Sequence, residues 1–509
     1  MTTASAFSVA LLGMEGTPIE VEASLGGGLP KTILVGLPDT ALYEARDRCK
    51  AALIGAGLGW PTQLLTINLT PASLPKAGTH YDLAIIAAVL SCSDLAPADR
   101  RADTVFLGEV GLDGRIRQVR GVLPALVVAR AAGFTKAVVP AAQLAEAKLI
   151  EGLTVWGVGH LDELVEVLNG RPVLHPTVPP TPDGDEAPTK DLTDVVGQPE
   201  ARWALEVAAA GGHHIFFHGP PGVGKTMLAE RLPGLLPELT DEQALEVSAI
   251  HSLAGDDLSG GLIRRPPYAD PHHNASVPAM VGGGSRVAKP GAISLSHRGV
   301  LFLDEAPEFN PRVLEALRAP LESGWVTIAR SQVTTRYPAR FQLVLAANPC
   351  PCGLAATPGA HCRCAPMSVR RYNDRISGPI LDRIDIHQHL APMRKTLTAT
   401  LGDKPESSAV VAERVRAARE RSAHRLSPFG WSVNGEVSGQ VMRNHLPRPD
   451  GIDLIDAAVA RGQLSARGVD KVLRVSWTLA DLAGRDQVSR DDIAAGLMLR
   501  RGEWVGLSA

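Results

Sequence analysis

Gly219, Pro220, Pro221, Gly222, Val223, Gly224, Lys225 and Thr226 spell the pattern G-x-x-x-x-G-K-T. They stand between a short β-type run at 215–218 and a helix-forming segment that starts at Met227. That strand–loop–helix context is what gives the pattern its meaning. Such glycines let backbone N–H groups turn inward around phosphate oxygens, and the helix N-terminus adds a favourable dipole. Lys225 would carry charge to the β- and γ-phosphates, and Thr226 would offer its hydroxyl to Mg²⁺. The loop therefore predicts ATP and Mg²⁺ as ligands. Further on, the wholly apolar run 300–303 ends in Asp304 and Glu305. A buried strand that delivers two carboxylates at its C-terminal end is a Walker-B arrangement: Asp304 would complete the Mg²⁺ shell, and Glu305 would orient and polarise the attacking water. A third β-rich run, 342–347, ends in Asn348. Ligands of open parallel sheets sit at the carboxyl ends of the strands, so an amide there can position that water or sense the γ-phosphate.

Directly after Asn348 come two C-x-C pairs, Cys350 with Cys352 and Cys362 with Cys364. Four thiolates can close a tetrahedral Zn²⁺ site. The spacing is tighter than the usual C-x₂-C, His361 is an alternate ligand, and reduced thiols in a Pro/Gly loop are the competing reading. Ordering this loop would couple to the nucleotide state.

These residues need elements to hold them. The chain has 509 residues, 45% hydrophobic and 21% charged, which excludes wholesale disorder and suggests about three domains at roughly 150 residues each. Lys and Arg number 51 against 54 Asp and Glu, a net charge of -3. Any nucleic-acid binding must then come from a local patch. Aromatics are 4%, too few for a large base-stacking platform. The N-terminus reads as a poor signal peptide, no run approaches a membrane span, and six cysteines in this length make no disulfide scaffold. A cytoplasmic location is expected, with no membrane partner.

The fold class is α/β and multidomain. Residues 1–168 mix strand-like runs (63–69, 136–139 and 154–158) with a helical pattern at 41–56 and a buried-helix run at 83–90, a domain with its own core. Residues 169–190 hold Pro172, Pro176, Pro179, Pro180, Pro182 and Pro188 and read as an extended linker. Residues 191–395 return to βα alternation and carry the chemistry. Residues 396–509 are helical, with segments at 408–425, 452–460 and 468–483.

Taken together, the nucleotide motifs resemble AAA+ ATPases of the magnesium-chelatase-like group, most closely the ComM/YifB family. The likeness extends to the stretches 194–198, 208–214, 271–273, 282–284, 290–305, 348–353 and 376–385, and it covers nearly the whole chain. It implies a parallel-sheet AAA+ domain with a helical lid, with Asn348 as sensor 1. It places the arginine finger on Arg383, with Arg375 competing, and sensor 2 on Arg467, set on the phosphates. A finger acts on a neighbour's γ-phosphate, so the resemblance implies a homo-oligomer, a hexameric ring. Residues 103–168 resemble the Lon protease domain, of the ribosomal-S5-like fold. The serine position of its Ser/Lys dyad holds His80 and the lysine position Pro124. Ser73 and Thr79 are nearby hydroxyls without an evident base, so acyl transfer has no route.

A ring motor needs cations facing its pore. Residues 324–341 read as a hairpin around Arg330, with Arg336 and Arg340 nearer its base. Arg286 and Lys289 form a second group and Arg370 and Arg371 a third. Each also fits a solvated surface charge, and pore contacts would go to phosphates. The resemblance implies an ATP-driven DNA motor, a branch-migration helicase acting in recombination of imported DNA, on single-stranded or branched DNA. The alternative is a chelatase-like ATPase that remodels a protein partner.

Overall fold

The computed structural model describes residues 2–35, 40–71, 80–93, 95, 102–171, 175, 190–284, 288–329, 334–355, 361–392 and 405–502. The first domain is a mixed sheet built from β1 (Thr2–Leu12), β2 (Glu15–Gly26), β3 (Lys31–Val35), β4 (Leu64–Thr70), β5 (Thr104–Phe106), β6 (Lys136–Pro140) and β7 (Thr154–Val158), in the order β3-β4-β2-β1-β5-β6-β7. In β2 the buried Ile19, Val21 and Ala23 alternate with Glu20 and Glu22, the period of two that a sheet with one packed face demands. Helices α1 (Thr40–Gly55) and α2 (Asp82–Cys92) pack into that core, joined by Leu161, Leu164, Val167 and Leu168 of a later helix. The run expected as a buried helix is α2, whose every residue is buried.

Helix α3 (Val122–Ala131) joins this domain to the next. It packs with Ala249 and Leu258 of the following domain in one continuous apolar cluster. Ser252 donates to Glu146 at 2.5 Å, and the Gly121 N–H donates to the Ser252 carbonyl at 3.0 Å. Pro124 lies inside α3, and the half-buried His80 ring has Nε2 2.9 Å from the Val9 carbonyl. Ser73 and Thr79 lie outside the described residues, as does most of the Pro-rich 169–190 segment.

The second domain carries a five-stranded sheet of β8 (Ile215–His218), β9 (Tyr268–Ala269), β10 (Val300–Leu303), β13 (Gln342–Ala347) and β14 (Ile386–His389), in the order β9-β10-β13-β8-β14. Every neighbouring pair is parallel. Strands β10 and β13 are buried along their whole length, which is why they read as apolar runs, broken only by Gln342 at the start of β13. Strands β11 (Trp325–Ala329) and β12 (Thr334–Pro338) pair antiparallel as a separate hairpin, as the sequence predicts. The base of that hairpin meets the first domain, where a Cβ on Gly13 would lie 2.7 Å from the Arg336 carbonyl oxygen.

Helices α4 (Pro199–Gly211), α5 (Lys225–Arg231) and α6 (Asp241–Ala254) belong to this domain, and α7 (Pro366–Asn373) follows the cysteine segment. The helical third domain comprises α8 (Ser408–Leu426), α9 (Ile452–Ala460), α10 (Ala466–Leu482) and α11 (Arg490–Arg501), with shorter helical turns between. Val411, Val415 and Ala418 of α8 and Val475 of α10 share a buried cluster with Leu205 and Ala208 of α4. The helical domain is therefore seated on the sheet domain. No helix among the described residues is long and apolar enough to cross a membrane.

Candidate functional site

Strand β8 ends at His218, and the chain turns through Gly219–Gly224 into α5. Gly222 and Gly224 have φ of +78° and +94°, with nothing within 4 Å of where a Cβ would sit. Glycine takes this conformation without steric cost and leaves the concave side open. The Lys225 side chain folds back into the loop. Its Nζ donates to the Gly219 carbonyl at 2.7 Å, the Pro220 carbonyl at 2.9 Å and Asn348 Oδ1 at 2.9 Å. Burial lowers its pKa from the ordinary lysine value, against the pull of Asp304 and Glu305. Neutral carbonyls thus hold an ammonium that phosphate oxygens would bind more strongly.

At the end of β10, Thr226 Oγ1 donates to Asp304 Oδ2 at 2.7 Å, and the Glu305 N–H donates to Asp304 Oδ1 at 2.8 Å. A hydroxyl and a carboxylate in contact are the hard-oxygen set that Mg²⁺ takes. Glu305 has φ of +49°, a left-handed conformation that costs a non-glycine residue on the order of 1–3 kcal/mol and tends to mark functional sites. Its side chain is half-exposed, and His273 Nδ1 lies 3.6 Å from Glu305 Oε2.

Two residues here escaped the sequence reading of roles. Asp270 follows β9, whose Ala269 pairs with Leu301, so it emerges beside Asp304. Burial raises its pKa, and the charges of Asp304 and Glu230 raise it further. This is a concentration of negative charge that a divalent cation would relieve. A two-residue strand is too short to show periodicity, which is why Asp270 gave no signal. Tyr372 of α7 interacts with the Asn348 backbone, and burial pushes its phenol up to about 12.

The arginines divide. Arg375 donates to the Pro307 carbonyl and to Glu308, both at 3.0 Å, and so braces the turn after its own Walker-B strand. Arg383 and Arg467 stand at the other end of the sheet. The Arg383 side chain is buried, pairs with Glu322 and donates to the Pro379 carbonyl at 2.6 Å. Arg467 lies 3.7 Å from the same Glu322 and 3.6 Å from Asp382. Just beyond Arg383, the Asp385 N–H donates to the carbonyl of His214, the residue before β8. Lys471 of α10 clamps this corner, 2.9 Å from Asp385 and bonded to the Arg383 carbonyl. Both arginines line a cleft of about 460 Å³ together with His214, Gln342 and Gly299, which lie at the starts of β8, β13 and β10. The length of β8, roughly 13 Å, separates this cleft from the phosphate loop. The expectation that Arg467 sits on the phosphates therefore does not hold for the loop of its own chain, because α10 is seated on the opposite ends of the strands.

Among the expected DNA-facing cations, Arg336 on β12 holds its guanidinium 5.0 Å over the Trp325 ring. Lys289 is exposed on a two-residue strand paired with Gly282–Gly283. Arg340 lies 3.9 Å from Glu436, and Arg370 lies 3.8 Å from Asp374, with Arg371 exposed on the same helix. Arg330 and Arg286 lie outside the described residues.

The four cysteines converge. Cys350 Sγ is 3.3 Å from Cys352 Sγ and 3.7 Å from Cys362 Sγ, and Cys352 Sγ is 3.6 Å from Cys362 Sγ. All four sulfurs, that of Cys364 included, lie within 4.8 Å of one another, far beyond the ~2.05 Å of a disulfide. His361 is not part of this group. Hydrogen bonding with the Leu354 backbone and with the neighbouring thiols of Cys350 and Cys364 holds the Cys352 thiol below its ordinary value.

Three family descriptions match the chain: "Magnesium chelatase, subunit ChlI" over residues 191–397, "Subunit ChlI of Mg-chelatase" over 21–143 and "Magnesium chelatase, subunit ChlI C-terminal" over 405–500. The competence protein ComM of Haemophilus influenzae is 39% identical over 505 residues, 98% of each chain. YifB of Escherichia coli is 40% identical over 491 residues, 96% of each chain. The magnesium-chelatase 38 kDa subunit of Rhodobacter capsulatus is 25% identical, over 60% of this chain and 85% of that one.

Proposed function

Since the chain belongs to the ChlI-like magnesium-chelatase family of AAA+ ATPases, with ComM and YifB as full-length homologues, we propose that it assembles into a hexameric ring that hydrolyses ATP to move along DNA. One observation carries this reading. Lys225, Thr226, Asp304, Glu305 and Asn348 gather at the carboxyl ends of the strands, while Arg383 and Arg467 stand together at the opposite ends. One chain thus holds two incomplete halves of a site, and a neighbour placed head to tail would join them.

In that joined site each residue has a stated task. The loop N–H groups and Lys225 bind the phosphates. Thr226 and Asp304 would hold Mg²⁺, which offsets phosphate charge when bound. Glu305 orients water for attack, and Asn348, released from Lys225, turns its amide to that water. Arg383 and Arg467, lent by the next protomer, stabilise charge that develops as the phosphoryl group transfers. The N-terminal domain, read as Lon-like and S5-folded, is braced on α6 and on the β11–β12 hairpin and steadies the ring.

The full-length likeness to a protein named for competence favours DNA as the track, because the chelatase subunit spans 60% of this chain. The β11–β12 hairpin, with Arg330 and Arg336, is read as the pore element, and Arg286 and Lys289 as its neighbours. A cytoplasmic branch-migration helicase acting on imported DNA is the specific form of the proposal. The test is ATP turnover with and without forked or four-way DNA, followed by strand displacement. Turnover that DNA leaves unchanged at low salt would favour the protein-remodelling alternative.

A further inference from the structure

We propose that Cys350, Cys352, Cys362 and Cys364 hold one structural Zn²⁺ as a tetrathiolate, and that this knot fixes the phosphate loop through the contact of Gly353 with Pro221. Thiolates about 2.3 Å from a tetrahedral zinc lie roughly 3.8 Å from one another. The three measured separations, 3.3, 3.6 and 3.7 Å, come within half an ångström of that value without a metal. The Ala355 N–H points at Cys350 Sγ from 3.4 Å, the kind of outer donor that steadies a metal thiolate. All-sulfur tetrahedral geometry selects zinc, with iron the competing metal. On loading, the sulfurs still protonated give up their protons to solvent as four Zn–S bonds form.

The described residues of the segment offer little else to order it. Among the described residues of 350–364, Leu354 is 37% exposed and the buried hydrophobic residue is Cys350, itself a ligand, so apolar burial is scant where the chain must hold a defined shape. A metal substitutes for a core in such segments. The knot also sits where it would matter. The turn that returns the Gly353 N–H to the Cys350 carbonyl at 2.9 Å presses on the phosphate loop. A Cβ on Gly353, whose φ is +77°, would fall 2.5 Å from Pro221 Cγ and 2.6 Å from Cδ. Asn348, bonded to Lys225, lies two residues before the first ligand. Cys364 leads directly into α7, which brings Tyr372 back to the Asn348 backbone. Both ends of the cysteine segment therefore terminate in the nucleotide cradle.

The coupling half of this proposal rests on the ATP-site reading; the metal half does not. Elemental analysis of the full-length protein, purified reduced without added metal, should give about one zinc per chain. Cys352→Ser with Cys364→Ser should give none. Stripping zinc from the unmutated protein with a chelator should weaken binding of a fluorescent ATP analogue by about tenfold, and added Zn²⁺ but not Mg²⁺ should restore it. Gly353→Ala should keep its zinc and still bind the analogue more weakly. Absence of zinc, iron in its place, or a Cys350–Cys352 disulfide overturns the assignment. Equal analogue affinity with and without zinc overturns the coupling. A zinc-loaded chain that binds no analogue would instead sink the ATP reading and leave the metal site standing.

Discussion

The Lys225 ammonium lies 2.9 Å from the Asn348 carboxamide oxygen, across 123 positions of sequence. The contact joins the phosphate loop to the strand that ends beside it. A ligand phosphate that draws the lysine away would free the amide, so the proposed nucleotide binding and the proposed sensing role of Asn348 share one hydrogen bond. Lys225→Ala should weaken nucleotide binding by about 10²-fold, the scale of losing charged hydrogen bonds. Asn348→Ala should leave binding within a few-fold and lower turnover by ~10²-fold, the scale of losing one transition-state donor. Equilibrium binding and steady-state hydrolysis separate the two, and an Asn348→Ala chain that fails to bind would refute the division.

Glu305 is held in a left-handed turn that a glutamate does not adopt without cost. Glu305→Gln keeps the shape and removes the carboxylate. Nucleotide binding should persist while hydrolysis falls by ~10²- to 10⁴-fold. Normal turnover would show that another group activates the water, with His273, 3.6 Å from Glu305, the first to replace.

Arg336 stacks on Trp325 in the β11–β12 hairpin. If the hairpin tracks the DNA backbone, Arg336→Ala should weaken binding of all sequences alike and reduce the salt dependence of the affinity by about one phosphate contact. Fluorescence anisotropy across a salt series measures both. A loss confined to one sequence, or an unchanged slope, would contradict phosphate tracking.

Acid should loosen the junction between sheet and helical domain. Burial holds His213 and His214 down to about 4, against an unfolded value near 6.5. Between those values the unfolded chain binds protons that the folded one refuses, so stability falls as pH drops from about 6.5 towards 4. Burial opposes the charge of Asp385, yet Lys471 and these histidines keep its pKa well below the usual carboxylate range, so its contribution is lost only at still lower pH. In the N-terminal domain Asp82 runs the other way. Burial lifts it to about 6, and its contribution fades as pH rises from about 3.8 to 6. Calorimetry at pH 7 and pH 5 should show a lower transition temperature at pH 5, and His213→Gln should shrink the drop. An unchanged drop in that variant would remove His213 from the explanation.

The sequence made legible what short-range chemistry enforces. Glycines flanking Lys225 had to turn, the apolar runs 300–303 and 343–347 had to be buried strands, and their C-terminal residues had to share one rim. The helical stretches came out within two residues of their expected ends, because 3.6-residue apolar spacing survives in α8, α9 and α10. Long-range placement stayed hidden. Nothing local in Ser465–Arg467 says that α10 is seated beside His214 rather than beside Lys225; that follows from Lys471 meeting Asp385 across 86 positions. Nor does the cysteine spacing alone disclose that Gly353 rests on Pro221.

The central claim, that one protomer's phosphate loop is completed by the next protomer's arginines, is tested most directly by mixing two inactive chains. Lys225→Ala empties its own site but still offers Arg383; Arg383→Ala binds nucleotide but offers no finger. Each alone should hydrolyse ATP at a small fraction of the normal rate, on the order of 10⁻³ for the missing finger. Co-assembled rings should regain a substantial part of it. A mixture no faster than its two components would mean that the arginines do not cross between subunits.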